Sequence, residues 1–145
     1  MAQHDIFSSP SRYIQGKGAI ADLGEHLKKL GENPLLVSDD TVWGIVEKQL
    51  AEGFESAGLP VNRVSFEKFA TAKAVDDLVE KIKAEGHDII VGIGGGSAID
   101  AAKAAGFEAG IVWASVPTAA SSDAPTSTLS VIYTCLLYTS DAADE

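Results

Sequence analysis

The sequence has one cysteine and no long apolar run, and each shortage excludes a class of protein. A lone Cys135 cannot close an internal disulfide or build a cysteine-based metal site. No apolar segment approaches the ~20 residues that cross a bilayer, and residues 1–10 lack the basic stretch and apolar run of a secretory signal. We therefore expect a cytoplasmic protein that has no membrane partner.

Basic residues are also scarce, since 11 Lys and Arg stand against 21 Asp and Glu and give a formal net charge of −10. A chain this acidic repels phosphate backbones, so we expect no nucleic-acid partner. The rest of the composition, 46% hydrophobic and 22% charged over 145 residues, is that of an ordinary globular protein. The chain is long enough for a single self-supporting core.

Apolar residues at helical spacing alternate with short apolar runs along the chain. The spacing predicts helices over 20–30, 42–54 and 75–82, ending at Gly31, Gly58 and Gly86. Runs of strand length occupy 35–37, 61–66, 89–93 and 111–115, with a further strand-like run at 129–133. Three of these runs are apolar throughout, as in parallel strands that helices cover on both faces. The alternation predicts an α/β fold with a doubly wound, mostly parallel sheet.

The strongest chemical signal is a glycine-rich run, Gly92-Ile-Gly-Gly-Gly-Ser-Ala-Ile-Asp100, directly after an apolar strand. Consecutive glycines let a ligand approach the backbone, and the N–H groups at the start of the next helix suit a pyrophosphate. The alternative is a tight turn that binds nothing, in which Ser97 and Asp100 form a capping box. Dinucleotide sites usually carry their glycines after the first strand, so both interpretations stay open on these residues alone.

A pair of carboxylates follows the strand at 35–37. Asp39 at the end of that strand could accept hydrogen bonds from ribose hydroxyls. Alternatively, Asp40 or Asp39 simply caps the helix that begins near Thr41, and for Asp40 this role is at least as favoured as a ribose contact. An acidic pocket of the kind found in receiver domains is a third possibility.

A loop rich in hydroxyl groups follows the strand at 111–115, on the same edge of the predicted sheet. Asp123 is the only carboxylate between residues 116 and 134. The hydroxyls and this carboxylate are the polar groups that a sugar-like cofactor or a polyol requires, although loops of this composition are often only connections.

Taken together, these segments resemble the glycerol dehydrogenase family, within the wider group of iron-activated alcohol dehydrogenases and dehydroquinate synthases. The resemblance is carried by the segments 9–16, 94–103, 117–125 and 129–134. It implies a Rossmann-like domain and the NAD-dependent oxidation of glycerol, or a similar small polyol, to dihydroxyacetone. Many relatives have Lys-Thr where this chain has Ser97-Ala98, so the resemblance does not fix the individual phosphate contacts.

The resemblance also implies a set of binding residues. Asp39 would face the adenosine ribose, and Asp123 would meet the substrate hydroxyls. The residues implied to wrap the pyrophosphate are Gly94, Gly95, Gly96, Ser97, Ala98, Ile99 and Asp100. Those implied to line the nicotinamide side are Thr118, Ala119, Ala120, Ser121, Ser127, Leu129 and Tyr133.

The family's metal site is expected to be missing from this chain. The resemblance implies a homo-oligomer with a divalent metal, commonly Zn²⁺, bound by one Asp and two His of a helical C-terminal domain. We expect the three histidines present, His4, His26 and His87, to be surface residues and not ligands. Trp43 and Trp113 are expected to be packing residues. The catalytic and metal-binding residues are therefore expected to lie outside this chain.

Two other functions stay open at this point. A glycerol-phosphate dehydrogenase of the same group would need a basic phosphate pocket, and residues 117–130 contain no Lys or Arg. A non-catalytic receiver or flavodoxin-like domain would use the two carboxylates after the first full strand, but it has no need for three glycines after a later one.

The last eleven residues, 135–145, do not fit the pattern of the preceding chain. They have no helix start signal, and their back-translation is compatible with CTC TTA TAC ACA TCT, which looks like a transposase adapter from a sequencing library. We therefore expect residues 1–134 to be the NAD-binding domain of a truncated enzyme and 135–145 to be a non-native tail.

Overall fold

The computed structural model describes residues 12–16, 19–67, 69–117 and 129–134. The strands are β1 Arg12–Gly16, β2 Pro34–Ser38, β3 Asn62–Ser65, β4 Ile89–Gly94, β5 Val112–Pro117 and β6 Leu129–Thr134. A 3-10 turn, Ala19–Asp22, leads into α1 Leu23–Lys28, and the later helices are α2 Asp40–Ala57, α3 Ala72–Glu85 and α4 Gly96–Ala109. None of these helices is both long and apolar enough to cross a membrane.

The strands form one six-stranded sheet in the order β1-β6-β5-β4-β2-β3. β5, β4, β2 and β3 are parallel, whereas β6 runs antiparallel to both β5 and β1. The predicted α/β fold with a mostly parallel sheet is therefore confirmed. β1 was not predicted as a strand, because it pairs with β6, which lies more than a hundred residues later in the chain.

Helices cover both faces of the sheet, as predicted for a doubly wound fold. α1 and α2 pack on one face against Leu36, Val91 and Ile93, and α3 and α4 pack on the other face. Leu35 and Val37 belong to the second core, so neighbouring residues of β2 point to opposite faces. This double burial explains why the central strands are apolar at every position.

The predicted helices occur, with shifted ends. α2 and α3 end at Gly58 and Gly86, both in the left-handed conformation that favours glycine. The first helix is shorter than predicted, because its opening turn is 3-10 and its α-helical part stops at Lys28. The apolar spacing that predicts the helix over 42–54 includes Ile45, but this side chain is 38% exposed.

The prediction that His87 lies on the surface is wrong. The residue is only 5% exposed, and its Nδ1 and Nε2 lie 3.1 Å from Asn33 O and 2.9 Å from Glu85 Oε1. The ring therefore links the end of α3 to the segment before β2. The tail 135–145 lies outside the described residues, so its non-native origin stays a prediction.

Candidate cofactor-binding site

The chain reverses its direction of winding between β2 and β4, which are neighbours in the sheet. From β2 the chain continues to β3 on one side, and from β4 it continues to β5 on the other. In open α/β sheets, the loops that follow two such strands diverge and leave a crevice at their carboxyl ends, where ligands bind. Asp39 follows β2 and the glycine run follows β4, so topology brings the two strongest sequence signals to one crevice.

A cleft of about 270 Å³ opens at this point. It is lined by Asp39, Phe66, Glu67, Phe69, Gly95, Gly96, Ser97 and Ala98. The structure thus brings Asp39 together with four of the seven predicted pyrophosphate residues, while Gly94, Ile99 and Asp100 lie outside the lining. A larger cavity of about 450 Å³ borders α2 elsewhere and contains none of the predicted site residues.

The glycines of the motif have different structural roles. A Cβ on Gly92 would lie 2.8 Å from two backbone atoms of α4, so this glycine permits close packing of strand and helix. Gly94 has a φ of +118°, which L side chains rarely adopt. A Cβ on Gly95 or Gly96 would meet no described atom within 4 Å. The described fold therefore accounts for two of these glycines and leaves the other two facing open space.

The start of α4 has no side-chain cap among the described residues. Its N-cap is Gly95, and the first helical hydrogen bond runs from the Ile99 amide to Gly95 O at 3.2 Å. The amides of Gly96, Ser97 and Ala98 consequently lack acceptors within the helix. The alternative capping box of Ser97 and Asp100 is wrong, because the helix begins before Ser97, at Gly96. The opening turn of α4 therefore directs free N–H groups at the cleft.

Asp39 both caps α2 and lines the cleft. Its Oδ1 accepts a hydrogen bond of 2.7 Å from the Val42 amide. Within the described part of the chain, its Oδ2 has no recorded partner and can accept from a ligand. Asp40, the other candidate for the cap, is instead the first residue of the helix. The two interpretations of Asp39, a cap and a ribose contact, are compatible, because they use different oxygens.

Asp40 is held by β3. Arg63 Nη2 and Ser65 Oγ each donate to Asp40 Oδ1 at 2.8 Å. The Arg63 hydrogen bond, and then that of Ser65, lowers the pKa of the Asp40 carboxyl below its ordinary value. Glu67 Oε2 in turn accepts from the Asp40 amide at 2.7 Å. The turn that carries Asp39 is thus fastened to the segment from β3 to Glu67.

Three further residues line the cleft and were not predicted from the sequence: Phe66, Glu67 and Phe69. Phe69 is 80% exposed, which is unusual for a large apolar side chain. These residues follow β3, and loops after parallel strands gather at one edge of the sheet. The rule that places the loops after β2, β4 and β5 at this edge places the loop after β3 there as well.

Several predicted residues cannot be located in the same way. Thr118, Ala119, Ala120, Ser121, Asp123 and Ser127 lie outside the described residues. Leu129 begins β6, near the edge where β5 ends, and Tyr133 pairs with Ala114 further along the sheet. Their roles toward nicotinamide and substrate stay predictions.

The described residues do not fit a metal ion. Over residues 19–67 and 69–117, no three His, Cys, Asp or Glu side chains come close enough to share one. Trp113 is buried and Trp43 packs beside the core, so both tryptophans are packing residues as predicted. The groups available at this edge are the amides at the start of α4, which can donate to an anion, and the Asp39 carboxylate, which can accept from hydroxyl groups.

Comparison with known proteins identifies the family of this chain. Residues 10–136 match the family model described as iron-containing alcohol dehydrogenase. Glycerol dehydrogenase of Pseudomonas putida is 40% identical over 126 residues, which are 87% of this chain and 34% of that protein. Glycolaldehyde reductase of Halobacterium salinarum is 42% identical over 128 residues, 88% of this chain and 35% of that protein. The chain thus spans about a third of the length of the curated relatives it matches.

Solved structures give the same answer for the fold. The crystal structure of glycerol dehydrogenase from Schizosaccharomyces pombe superposes with a TM-score of 0.68 at 24% identity, covering 75% of this chain and 28% of that one. A probable glycerol dehydrogenase from Sinorhizobium meliloti 1021 gives 0.62 at 27% identity, with 75% and 29% coverage. Together with the family match, these similarities exclude the receiver-domain alternative.

Proposed function

This chain belongs to the iron-containing alcohol dehydrogenase family, and we propose that it is the NAD-binding part of an enzyme that oxidises glycerol, or a similar small polyol, to the ketone. The observation that carries the proposal is the open space beside Gly95 and Gly96 in the cleft that Asp39 also lines. Glycine is not needed there for packing or for a left-handed backbone. A ligand that approaches the backbone closely would explain why both positions are glycine.

The opening turn of α4 suits the pyrophosphate. Three amides without helical acceptors carry the partial positive charge of the helix N-terminus, and they face the cleft from one wall. Because Gly95 and Gly96 have no side chains, phosphate oxygens can approach these amides to hydrogen-bonding distance. This part of the site needs no basic side chain, which suits a chain with Ser97 in the place of the lysine that many relatives carry.

The adenosine end of the cofactor suits the opposite wall. Asp39 Oδ2 can accept hydrogen bonds from ribose hydroxyls while Oδ1 holds the helix. Phe69 offers an exposed ring on the same cleft, which can stack against the adenine base. NAD⁺ bound in this way would supply the hydride acceptor, and this chain's own residues bind and orient it.

The substrate and the metal involve residues beyond those described. We infer that Asp123 accepts hydrogen bonds from two neighbouring hydroxyls of the polyol, as the residue types of its loop suggest. We also infer, from the resemblance to the family, that a divalent ion such as Zn²⁺ is bound by a further domain of a longer protein. The absence of Lys and Arg from residues 117–130 favours an uncharged polyol over a glycerol phosphate.

The test is to sequence the gene beyond codon 134, express the whole encoded protein and follow NADH formation with glycerol and with glycerol 1-phosphate. We expect turnover of glycerol. Asp123→Ala should lower kcat/KM for glycerol by roughly one to two orders of magnitude, because it removes charge-assisted hydrogen bonds to the substrate. The affinity for NAD⁺ should not change. Turnover of glycerol 1-phosphate alone would contradict the polyol assignment. Near-normal kcat/KM in a folded Asp123→Ala variant would contradict the substrate role.

A further inference from the structure

We propose that Glu67 makes this site select against a cofactor phosphorylated on the adenosine ribose, such as NADP⁺. The proposal rests on the proposed function, because it requires the adenosine ribose to lie beside Asp39. It adds a second specificity residue, which lies outside both the end of β2 that carries Asp39 and the glycine-rich run after β4.

Glu67 is anchored at the ribose wall. Its side chain lines the same cleft as Asp39, and its Oε2 accepts a 2.7 Å hydrogen bond from the Asp40 amide. The carboxylate is therefore fixed to the turn that presents Asp39. Two carboxylates face the cleft from adjacent loops, one after β2 and one after β3.

Among the described residues, the cation beside these two carboxylates is Arg63, and it is held by other groups. Arg63 Nη2 donates to Asp40 Oδ1 at 2.8 Å and to Ser38 O at 2.9 Å, and its guanidinium lies 5.2 Å from the centre of the Trp43 ring. Its side chain is only 17% exposed. Sites that accept a 2′-phosphate supply an arginine to it. Here the arginine is held by Asp40, so the described part of this wall stays acidic.

The two walls of the cleft thus have opposite preferences. The amides at the start of α4 favour an anion, whereas Asp39 and Glu67 oppose one. A dinucleotide with its pyrophosphate on α4 and an unmodified ribose on the other wall satisfies both. A 2′-phosphate would bring a further negative charge against two fixed carboxylates.

The experiment titrates NAD⁺ and NADP⁺ separately into the 145-residue chain at constant ionic strength and follows amide chemical shifts by NMR, which detects weak binding. The variants are Glu67→Gln, which keeps an acceptor for the Asp40 amide but removes the charge, and Glu108→Gln. Glu108 is an exposed residue near the far end of α4, about 18 Å along the helix from Gly96, and serves as a charge-matched control.

We expect Glu67→Gln to improve NADP⁺ affinity relative to NAD⁺ by roughly threefold to tenfold, with NAD⁺ affinity unchanged. Glu108→Gln should leave the ratio as it is. Added salt should favour NADP⁺ more in the wild type than in Glu67→Gln, because it screens the repulsion that the variant lacks.

An unchanged ratio in a folded Glu67→Gln chain overturns the proposal and leaves the proposed function standing. An equal loss of affinity for both cofactors overturns it as well, since that result indicates a purely structural role. If the wild-type chain shows no NAD⁺ binding at any accessible concentration, both the proposed function and this inference fail.

Discussion

Two helices begin at the same edge of the sheet, beside neighbouring strands, and they begin in opposite ways. α2 is capped by the Asp39 side chain, and the Glu67 side chain accepts a hydrogen bond from the Asp40 amide. α4 has Gly95 as its N-cap residue and no side-chain cap among the described residues. α3, further along the sheet, is also capped, by Thr71. The comparison indicates that side chains of the protein satisfy the first amides of α2, whereas the first amides of α4 remain available to a ligand.

The largest effect is expected from giving α4 the kind of start that α2 has. Gly95 has the extended conformation of an N-cap, so Gly95→Asp can cap the helix and should raise the free energy of unfolding by a few tenths of a kcal/mol. The same carboxylate would face the pyrophosphate, and like charges in contact cost several kcal/mol, which corresponds to roughly a hundredfold loss of NAD⁺ affinity or more. Thermal unfolding and NAD⁺ titration measure the two effects. Unchanged NAD⁺ binding would contradict the pyrophosphate assignment.

A smaller effect is expected from removing the cap of α2. Asp39→Ala should lower the free energy of unfolding by about 0.5–2 kcal/mol and also weaken NAD⁺ binding. Asp39→Ser is the matched control, because serine caps a helix as well as aspartate but is too short and uncharged to replace its second oxygen. We expect the serine variant to regain stability without regaining affinity. Recovery of both would show that Asp39 acts only as a cap.

The smallest effect concerns the pH dependence of stability at the start of α2. Hydrogen bonds from Arg63 and Ser65 lower the pKa of folded Asp40, so its contribution is present above the ordinary pKa of an aspartate and is lost as the pH falls through the lowered value. The stability gap between the wild type and Asp40→Asn should therefore narrow from neutral to acid pH in urea unfolding. Asp76→Asn, on the exposed side of α3, is the control. A stability gap that does not change with pH would contradict the claim that Arg63 and Ser65 lower the pKa of Asp40 in the folded state.

The apolar pattern predicted much of this fold, because it records which faces are buried. Val75, Leu78, Val79 and Ile82 are all buried in α3, as their spacing requires. The spacing of apolar residues does not indicate which distant segments of the chain pair with each other. β1 was missed because β6 supplies its hydrogen bonds, and the burial of His87 was missed because one of its partners, Asn33, is 54 residues away in the chain.

The location of the candidate site could be predicted from the sequence, but its local geometry could not. Asp39 and the glycine run were found because each follows a buried strand, and the winding of the sheet brings them together. Whether Asp39 or Asp40 caps α2 depends on the residue at which β2 ends, which composition does not determine. The prediction of a Ser97 and Asp100 capping box failed for a similar reason, since Gly95 takes the cap position two residues before Ser97.

The most direct test of the central claim compares Gly96→Ala with Gly92→Ala in both thermal unfolding and NAD⁺ titration. The Cβ of Gly96→Ala enters open space at the start of a helix, so stability should hold or rise by up to about 1 kcal/mol. Its NAD⁺ affinity should fall roughly tenfold to a hundredfold, because the methyl group occupies space left for the ligand. Gly92→Ala should instead lose about 1–3 kcal/mol of stability, since its Cβ meets the backbone of α4. A Gly96→Ala chain that binds NAD⁺ as tightly as the wild type would contradict the claim that the open start of α4 is the pyrophosphate site.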